Sequence, residues 1–361
     1  MTKGTQRKLD INQSSKISKL LIQQFSNKVV GQDKATQVLV DMFDAFQSGF
    51  GDHTRPAGIA LFLGPTGTGK THVVESFAEA IFGTKKACLR IDCAEFQHSH
   101  EISKLIGSPP GYLGHRETSP ALTQEALDLH HTSAVKLSIV LFDEIEKASD
   151  SLWSLLLGIM DKATLTLGDN RKVNFSNTII VLTSNLGARE MSNRGIGFVD
   201  PTDEMDQVRL EKIALSAAKS KFTPEFMNRI QHVITFKTLT KEQLELIVDM
   251  ELKDLEFRLF VASSPLLTEL TAGMQKQLQG EGVLPRFTLA VSPKARKTLL
   301  AEGFDKAYGA RPLKRVIDKR IQLPLSKLVN SGQIQTGDTV VVDEEGNANF
   351  EFYIHNPKET Q

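Results

Sequence analysis

Residues 64–71 read Gly-Pro-Thr-Gly-Thr-Gly-Lys-Thr, and residues 139–144 read Ile-Val-Leu-Phe-Asp-Glu. The first stretch matches the pattern G-x-x-x-x-G-K-[ST], in which glycines let the backbone curl and aim its N–H groups at phosphates. It follows an apolar run, Ile59–Leu63, and precedes a helical pattern, so the phosphates meet a helix N-terminus, whose dipole favours anions. The predicted phosphate-binding residues are Gly64, Pro65, Thr66, Gly67, Thr68, Gly69, Lys70 and Thr71.

Four polar residues of these stretches have distinct expected tasks. Lys70 reaches the β- and γ-phosphates of ATP, and Thr71 is a ligand of Mg²⁺. Asp143 ends a buried apolar strand and is placed to hold the same ion, so the predicted metal residues are Thr71 and Asp143. Glu144 is expected to orient and deprotonate the attacking water. The alternative is a glycine-rich turn without nucleotide, and the paired Asp-Glu at a strand end argues against it.

The composition bounds the class of protein. The chain has 361 residues and a formal net charge of zero, which leaves room for about two domains and no field that attracts nucleic acid or an anionic membrane. The apolar runs are too short to span a bilayer, and the polar start argues against a secretory signal. Cys88 and Cys93 are expected to be buried and unpaired, in a reducing cytoplasm.

Strand and helix patterns alternate through the first two thirds of the chain. Continuous apolar strands separated by helices indicate a parallel sheet that is covered on both faces. The predicted fold class is therefore α/β, a P-loop parallel-sheet domain followed by a smaller, mostly helical domain. The predicted strands are Ile59–Leu63, Cys88–Asp92, Ser138–Phe142, Thr178–Thr183 and Val233–Phe236.

The pattern changes after Phe236. Thr240 and Gln243 have the spacing of a capping box and open a helix that is expected to reach about Phe260. Further helices are predicted near 293–302 and 311–330, followed by a hairpin of Thr339–Val342 and Asn349–Ile354. The predicted organisation is a flexible segment 1–27, a large nucleotide-binding domain 28–238, and a small lid domain 239–361 with an insertion near 261–288.

With these motifs in order, the chain resembles the AAA+ ATPases of the Clp type and is most similar to the second ATPase ring of ClpA, ClpC and ClpB. The resemblance runs from about Val29 to Ile354 and leaves out the N-terminal domain and the first ring, so a single-ring protein is expected. It implies that Val29 and Val30 contact adenine. Asn185 resembles sensor 1, whose amide positions the attacking water or the γ-phosphate.

The resemblance also implies roles for two arginines. Arg229, at the end of Phe222-Thr-Pro-Glu-Phe-Met-Asn-Arg, is similar to the arginine finger that completes the site of a neighbouring subunit. The sequence equally allows Arg229 to be a local salt-bridge partner. Arg311, in Tyr308-Gly-Ala-Arg-Pro, resembles sensor 2, which contacts the γ-phosphate from the lid. A homo-oligomeric ring, typically a hexamer, is expected.

Two further segments resemble parts that handle protein substrates. Tyr112 and Leu113, in Gly-Tyr-Leu-Gly, are similar to a pore loop that grips an extended polypeptide, and 167–171 resembles a second pore loop. The alternative for Tyr112 is a half-buried residue in a surface turn. Ile196, Gly197 and Phe198 resemble the tripeptide with which ClpA and ClpC dock onto the ClpP peptidase; the alternative is that they fold back onto the domain.

The implied function is an ATP-driven protein unfoldase or remodeller that threads polypeptide through a central pore and delivers it to a ClpP-type peptidase. One alternative is a stand-alone remodeller without a peptidase. A nucleic-acid motor is another, which the zero net charge and the Gly-Tyr-Leu-Gly loop disfavour, and a nucleotide-switched scaffold is a third. No nucleic-acid or membrane partner, and no metal other than Mg²⁺, is expected.

Overall fold

The centre of the molecule is a five-stranded parallel sheet in the order β2-β3-β6-β1-β7. The computed structural model describes residues 15–108, 119–187, 204–262, 287–305, 309–335, 337–346 and 348–355. The sheet strands are β1 Gly58–Leu63, β2 Cys88–Asp92, β3 Ser138–Asp143, β6 Thr178–Ser184 and β7 His232–Thr235. The α/β prediction is confirmed, and the predicted ends of these five strands lie within one residue of the observed ends. A small antiparallel hairpin, β4 Thr164–Thr166 and β5 Lys172–Asn174, lies apart from this sheet.

Helices cover both faces of the sheet because successive residues of a buried strand point to opposite sides. In β1, Ala60 and Phe62 belong to one hydrophobic core, whereas Ile59, Leu61 and Leu63 belong to the other. The helices of this part are α1 Lys16–Ser26, α2 Asp33–Ser48, α3 Lys70–Phe82, α4 Ser103–Ile106, α5 Gln124–Asp128, α6 Asp150–Lys162, α7 Glu204–Lys221 and α8 Pro224–Arg229. Short 3₁₀ turns occupy Lys85–Ala87, Cys93–Glu95, Ser99–Ile102 and Ile145–Lys147.

Helix α1 lies within the segment that we expected to be flexible. The prediction of a flexible 1–27 is wrong for residues 16–26, while residues 1–14 lie outside the described part of the chain. Leu21 and Phe25 are four residues apart, share one face of the helix and are buried. The Phe25 ring stacks on Phe77 of α3 with centroids 5.8 Å apart, so packing against the sheet's helices stabilises this short helix.

Residues after β7 form a third hydrophobic core, separate from the two on the faces of the sheet, from Leu244 to Val342. The predicted capping box is confirmed, since Thr240 N donates to Gln243 Oε1 at 3.0 Å and Gln243 N to Thr240 Oγ1 at 3.3 Å. Its helices are α9 Lys241–Ala262, α10 Pro293–Gly303, α11 Leu313–Ile317 and α12 Leu323–Asn330. A sheet ordered β10-β9-β8 comprises β8 Phe287–Val291, β9 Asp338–Glu345 and β10 Asn349–His355.

The expected helix over 311–330 is continuous but not uniform. Its middle, Asp318–Gln322, is a π-helical turn between α11 and α12. Pro324 follows directly and has no N–H to donate to the carbonyl four residues back, and the wider turn accommodates this gap.

Two further expectations concerned unpaired cysteines and the lack of a membrane-spanning segment. Both cysteines are free; Cys93 is buried and Cys88 is partly buried, and burial raises the pKa of the Cys88 thiol to about 12. A thiol with a raised pKa is structural rather than reactive. Within the described ranges, none of the helices combines the length and the apolar character that crossing a membrane requires.

Candidate active site

The phosphate-binding loop leaves the carboxyl end of β1, which has strands on both sides. This edge of an open parallel sheet is where ligands bind in α/β folds. Gly64 has φ +147°, and a Cβ added there would lie 2.8 Å from the Phe236 carbonyl oxygen, so a side chain does not fit. Thr68 Oγ1 donates to the Pro65 carbonyl at 2.9 Å and closes the loop on itself. The sequence 64–69 therefore adopts a tight turn that opens directly into α3.

Lys70 is buried at the start of α3 and points back into the loop. Its Nζ donates to the carbonyls of Gly64 at 2.8 Å and Pro65 at 2.9 Å, and to Asn185 Oδ1 at 2.8 Å. Burial lowers the pKa of Lys70 to about 8, against the opposing effect of nearby carboxylates, first of all Glu146. A buried ammonium, whose charged form burial disfavours, is suited to receive anionic phosphates because they stabilise that form.

Asp143 ends β3 beside the loop, and three different groups contact its carboxylate. Thr71 Oγ1 lies 3.2 Å from each carboxylate oxygen, so the two predicted metal ligands are neighbours. Thr183 Oγ1 donates to Oδ1, and Arg90 Nη2 on β2 lies 2.7 Å from Oδ2. A hydroxyl and a carboxylate are oxygen donors of the type that Mg²⁺ prefers, with phosphates and water completing its shell. When bound, Mg²⁺ supplies neutralisation of charge on the transferred phosphoryl group.

Glu144 follows Asp143 in an unusual backbone conformation. Its φ of 59° and ψ of 49° lie in the left-handed region, which is costly for a residue with a side chain. The Glu144 N–H donates to Thr183 Oγ1 at 3.0 Å. Its carboxylate accepts from Asn185 Nδ2 at 3.0 Å and is paired with Lys147, and this hydrogen bond raises the pKa of Lys147. The turn thus directs the Glu144 carboxylate toward the loop rather than along the strand.

Asn185 joins the two halves of the site. Its Oδ1 accepts from Lys70 while its Nδ2 donates to Glu144, and its backbone N–H donates to Glu146 Oε1 at 3.1 Å. These contacts are possible because β3 and β6 are adjacent and parallel, so their carboxyl ends meet at one edge. The predicted phosphate cation, the predicted metal ligand and the predicted water-orienting carboxylate therefore lie together, an arrangement suited to phosphoryl transfer to water.

Comparison with known proteins gives the chain its family. A model of the AAA domain (Cdc48 subfamily) matches residues 55–233, and one of the C-terminal, D2-small domain of ClpB protein matches residues 265–342. The ATP-dependent Clp protease ATP-binding subunit ClpC of Staphylococcus aureus (strain USA300) is 37% identical over 320 residues, 88% of this chain. The chain belongs to the Clp-type AAA+ ATPases.

A second relative gives the same picture. ClpC of Staphylococcus epidermidis (strain ATCC 12228) is 35% identical over 329 residues, 91% of this chain. Both matches cover 36% of the relative, so the chain spans about a third of the length of these curated proteins. Clp-type AAA+ ATPases are ATP-hydrolysing enzymes, in agreement with the paired motifs of residues 64–71 and 139–144.

The predicted adenine segment lies beside the loop of this AAA+ domain. Val29 packs in the core together with Phe25, whereas Val30 is partly exposed. Gln32 in the same segment is buried: its Nε2 donates to the carbonyls of Thr68 at 3.1 Å and Lys237 at 3.0 Å. Gln32 thereby ties the loop to the first residues after β7.

The two predicted arginines have different surroundings. Arg229 ends α8, and its Nε lies 2.7 Å from Asp161 Oδ1 of α6, so within one chain it makes the local ion pair that the sequence also allowed. Arg311 is exposed at the start of the α11 region. Two residues earlier, a Cβ added to Gly309 would lie 2.8 Å from the Gly67 carbonyl oxygen. The lid backbone next to Arg311 therefore touches the phosphate-binding loop.

Two groups of predicted residues cannot be placed. Tyr112 and Leu113 lie outside the described residues, as do Ile196, Gly197 and Phe198. The bases of the two predicted pore loops are described, and they meet: Gly168 N donates to the Ile106 carbonyl at 2.8 Å.

Sequence reasoning assigned no role to Gln32, Arg90, Thr183 or Gly309, all of which contact the site. Gln32 lies two residues after Val30 and Thr183 two residues before Asn185, so each is a polar residue close to a predicted site residue. Arg90 gives no such signal, because only the pairing of β2 with β3 brings it to Asp143.

Proposed function

We propose that this chain is the ATPase core of a ring-forming protein unfoldase or remodeller, with ATP and Mg²⁺ bound at the loop of residues 64–71. The observation that carries the proposal is the position of Asn185, whose amide contacts Lys70 at 2.8 Å and Glu144 at 3.0 Å. This single side chain links the phosphate cation to the water-orienting carboxylate. Family membership and the similarity to the ClpC subunits support the mechanical function.

Two substitutions test the hydrolytic site. Lys70→Ala removes the phosphate cation and is expected to abolish nucleotide binding. Glu144→Gln keeps the hydrogen bond from Asn185 but removes the base, so turnover is expected to fall by about a hundredfold or more while ATP still binds. Steady-state hydrolysis together with equilibrium binding of a fluorescent nucleotide separates the two. Normal hydrolysis by Glu144→Gln would show that the carboxylate has another role.

A polypeptide substrate is proposed for the pore segment. The packing of residue 168 against Ile106 supports a shared base for the loops of 107–114 and 167–171. Tyr112 offers a flat apolar ring with little side-chain entropy to lose, which suits a grip that tolerates many sequences. Tyr112→Ala is expected to retain ATP hydrolysis and to lose unfolding of a fluorescent substrate protein. Equal loss of both activities would contradict a pore role.

A homo-oligomeric ring, with six subunits as the expected number, is proposed from Arg229. Arg229 is partly exposed. Its guanidinium can therefore leave Asp161 and contact the phosphates of a nucleotide bound to a neighbouring subunit. Removing an arginine finger costs about a thousandfold in turnover. Mixing Arg229→Ala with Glu144→Gln subunits tests the role in trans: activity above that of either variant alone is expected, and no recovery in mixed rings that do form would contradict it.

A more specific proposal is that the protein delivers unfolded substrate to a ClpP-type peptidase. The alternative is a stand-alone remodeller. The similar ClpC proteins are named as ATP-binding subunits of a Clp protease. The test is degradation of a casein-like substrate with ATP and the host's ClpP, comparing the wild type with Ile196→Ala/Phe198→Ala. Degradation that depends on the tripeptide supports docking. Substrate-stimulated hydrolysis without degradation favours the stand-alone remodeller.

We also propose the division into a large domain of 28–238 and a lid of 239–361. The separate hydrophobic cores on either side of residue 238 support it. The two family models, which match 55–233 and 265–342, support it as well. Limited proteolysis that cuts first near 238 is the expected result. A cytoplasmic location stays a prediction, which cell fractionation checks.

A further inference from the structure

Trp153 is the single tryptophan of the chain, and its indole N–H is bonded to the turn that carries Glu144. Nε1 donates to the Ile145 carbonyl at 3.1 Å. The same carbonyl accepts the Ala148 N–H at 3.2 Å, which closes the 3₁₀ turn behind Glu144. Ile145 is fully buried, and its carbonyl accepts both of these N–H groups. Trp153 therefore supplies a second restraint on the turn, one residue after Glu144.

The other side of the indole packs on the segment that ends at Arg229. Its ring lies edge-on to Phe222 at 5.4 Å between centroids and contacts Phe226 at 6.5 Å. Phe222 and Phe226 are buried and stack on each other at 5.3 Å. Helix α6 holds the same segment a second time, because Asp161, two turns after Trp153, is paired with Arg229.

The contacts of Trp153 with both segments matter because of the backbone conformation of Glu144. A residue with a side chain remains in the left-handed region only where its surroundings over-determine the conformation. Here the turn is fixed by Thr183 Oγ1 at the Glu144 N–H and by the indole at the carbonyl of the next residue, Ile145. A shift of the indole changes its hydrogen bond to the Ile145 carbonyl. The same shift moves the ring against Phe222 and Phe226.

We propose that Trp153 is a positioning residue that sets the Glu144 turn and the Arg229 segment together. One side chain thereby couples the chain's own hydrolytic carboxylate to the cation that it offers a neighbour. This inference rests on the proposed function for the identity of the reaction. It adds a coupling between two sites of the ring that neither residue provides alone.

The kinetic test is Trp153→Phe, which keeps a six-membered aromatic ring and removes the pyrrole ring with its N–H donor. Loss of one neutral hydrogen bond corresponds to about a three- to tenfold effect, so kcat for ATP is expected to fall by that factor with KM unchanged. Lys221→Gln is the matched control: Lys221 Nζ lies 5.1 Å over the indole ring, and its removal leaves the N–H bond intact. Wild-type kcat in Trp153→Phe, or an equal fall in Lys221→Gln, overturns the inference.

The second test keeps Trp153 and uses its fluorescence to report nucleotide binding. Emission of the Glu144→Gln chain comes from Trp153 alone, and addition of Mg-ATP is expected to change its intensity or maximum. Saturated binding without any change in emission overturns the coupling. The two proposals fail separately: a wild-type chain that binds ATP without hydrolysing it contradicts the proposed function, whereas the emission still decides whether Trp153 senses the site.

Discussion

Thr183 is completely buried, and its one hydroxyl serves both acidic residues of the site. Oγ1 donates to the Asp143 carboxylate and accepts the Glu144 N–H at 3.0 Å. The hydroxyl thus fixes the direction of the metal ligand and the left-handed turn of its neighbour at once. A side chain of equal size without the oxygen would keep the packing and lose both bonds.

Thr183→Val is therefore expected to lower kcat by about tenfold, because both acidic groups lose the same fixed partner. The free energy of unfolding is expected to fall by about 1–3 kcal/mol, since the buried Asp143 carboxylate loses its donor and the Glu144 N–H loses its acceptor. Steady-state kinetics and urea unfolding measure the two effects. Thr178→Val, at the other end of β6, is the control, and an equal loss of kcat there would contradict the assignment.

Lys70 gives a pH prediction. Burial lowers its pKa from the ordinary 10.5 to about 8, and bound phosphates restore the charged form. Between pH 8 and 10.5, nucleotide binding is therefore expected to take up a proton, and affinity is expected to fall with rising pH by up to about tenfold per unit. Calorimetry of the Glu144→Gln chain at pH 9, in two buffers with different heats of ionisation, measures this uptake. Identical heats would show that Lys70 is already charged.

At the scale of elements, the connection from Gln32 to the loop and to residue 237 joins three segments far apart in sequence. Gln32 precedes α2, Thr68 lies in the phosphate-binding loop, and Lys237 follows β7. The Lys237 N–H also donates to Gln32 Oε1 at 3.3 Å. One buried amide thus closes the backbone around the end of β1.

Gln32→Met has a similar volume and removes all three bonds. We expect the free energy of unfolding to fall by about 1–3 kcal/mol, because the carbonyl of the buried Thr68 loses its amide donor. Gln37→Met, on the exposed side of α2, is the control, with an expected change within about 0.5 kcal/mol. Chemical denaturation of the two variants decides the matter, and a neutral Gln32→Met would mean that water replaces the amide.

Most elements could be predicted because strands buried on both faces are continuous apolar runs with sharp ends. Strand β8 was missed, since its alternation of Phe287 and Leu289 with exposed residues is short and follows a stretch without clear periodicity. Helix α1 was missed because two buried apolar residues in eleven give a weak pattern. The site residues lie close together because the carboxyl ends of adjacent parallel strands meet at one edge of the sheet; these residues are Lys70, Asp143, Glu144 and Asn185. The partners Arg90 and Trp153 depend on tertiary contacts that no local pattern records.

At the scale of the whole molecule, the part after residue 238 contacts the sheet domain at the phosphate-binding loop itself. The backbone of Gly309 lies against Gly67, and the Gln243 amide of α9 lies against Gly31. A change in the conformation of the phosphate-binding loop therefore acts directly on the position of the lid. This contact gives a physical basis for a lid angle that depends on nucleotide.

Gly309→Ala tests the contact with a well-matched control. A Cβ there would lie 2.8 Å from the Gly67 carbonyl oxygen, whereas at Gly332 nothing lies within 4 Å. Both glycines have positive φ, +59° and +75°, so both variants carry a similar backbone cost. Gly309→Ala is expected to weaken nucleotide binding by about tenfold or more, and Gly332→Ala to leave it unchanged, as measured by equilibrium titration. Equal affinities would show that the lid yields without disturbing the loop.

The Gly309–Gly67 contact is made by main chain on main chain. Amino-acid identity elsewhere in the two halves neither creates nor replaces it. A hybrid protein that joins this sheet domain to the lid of another ATPase would keep the contact only where the two loops follow the same path. The success of such an exchange therefore depends in part on the shape of the backbone at this glycine, beside the side-chain contact of Gln243 with Gly31.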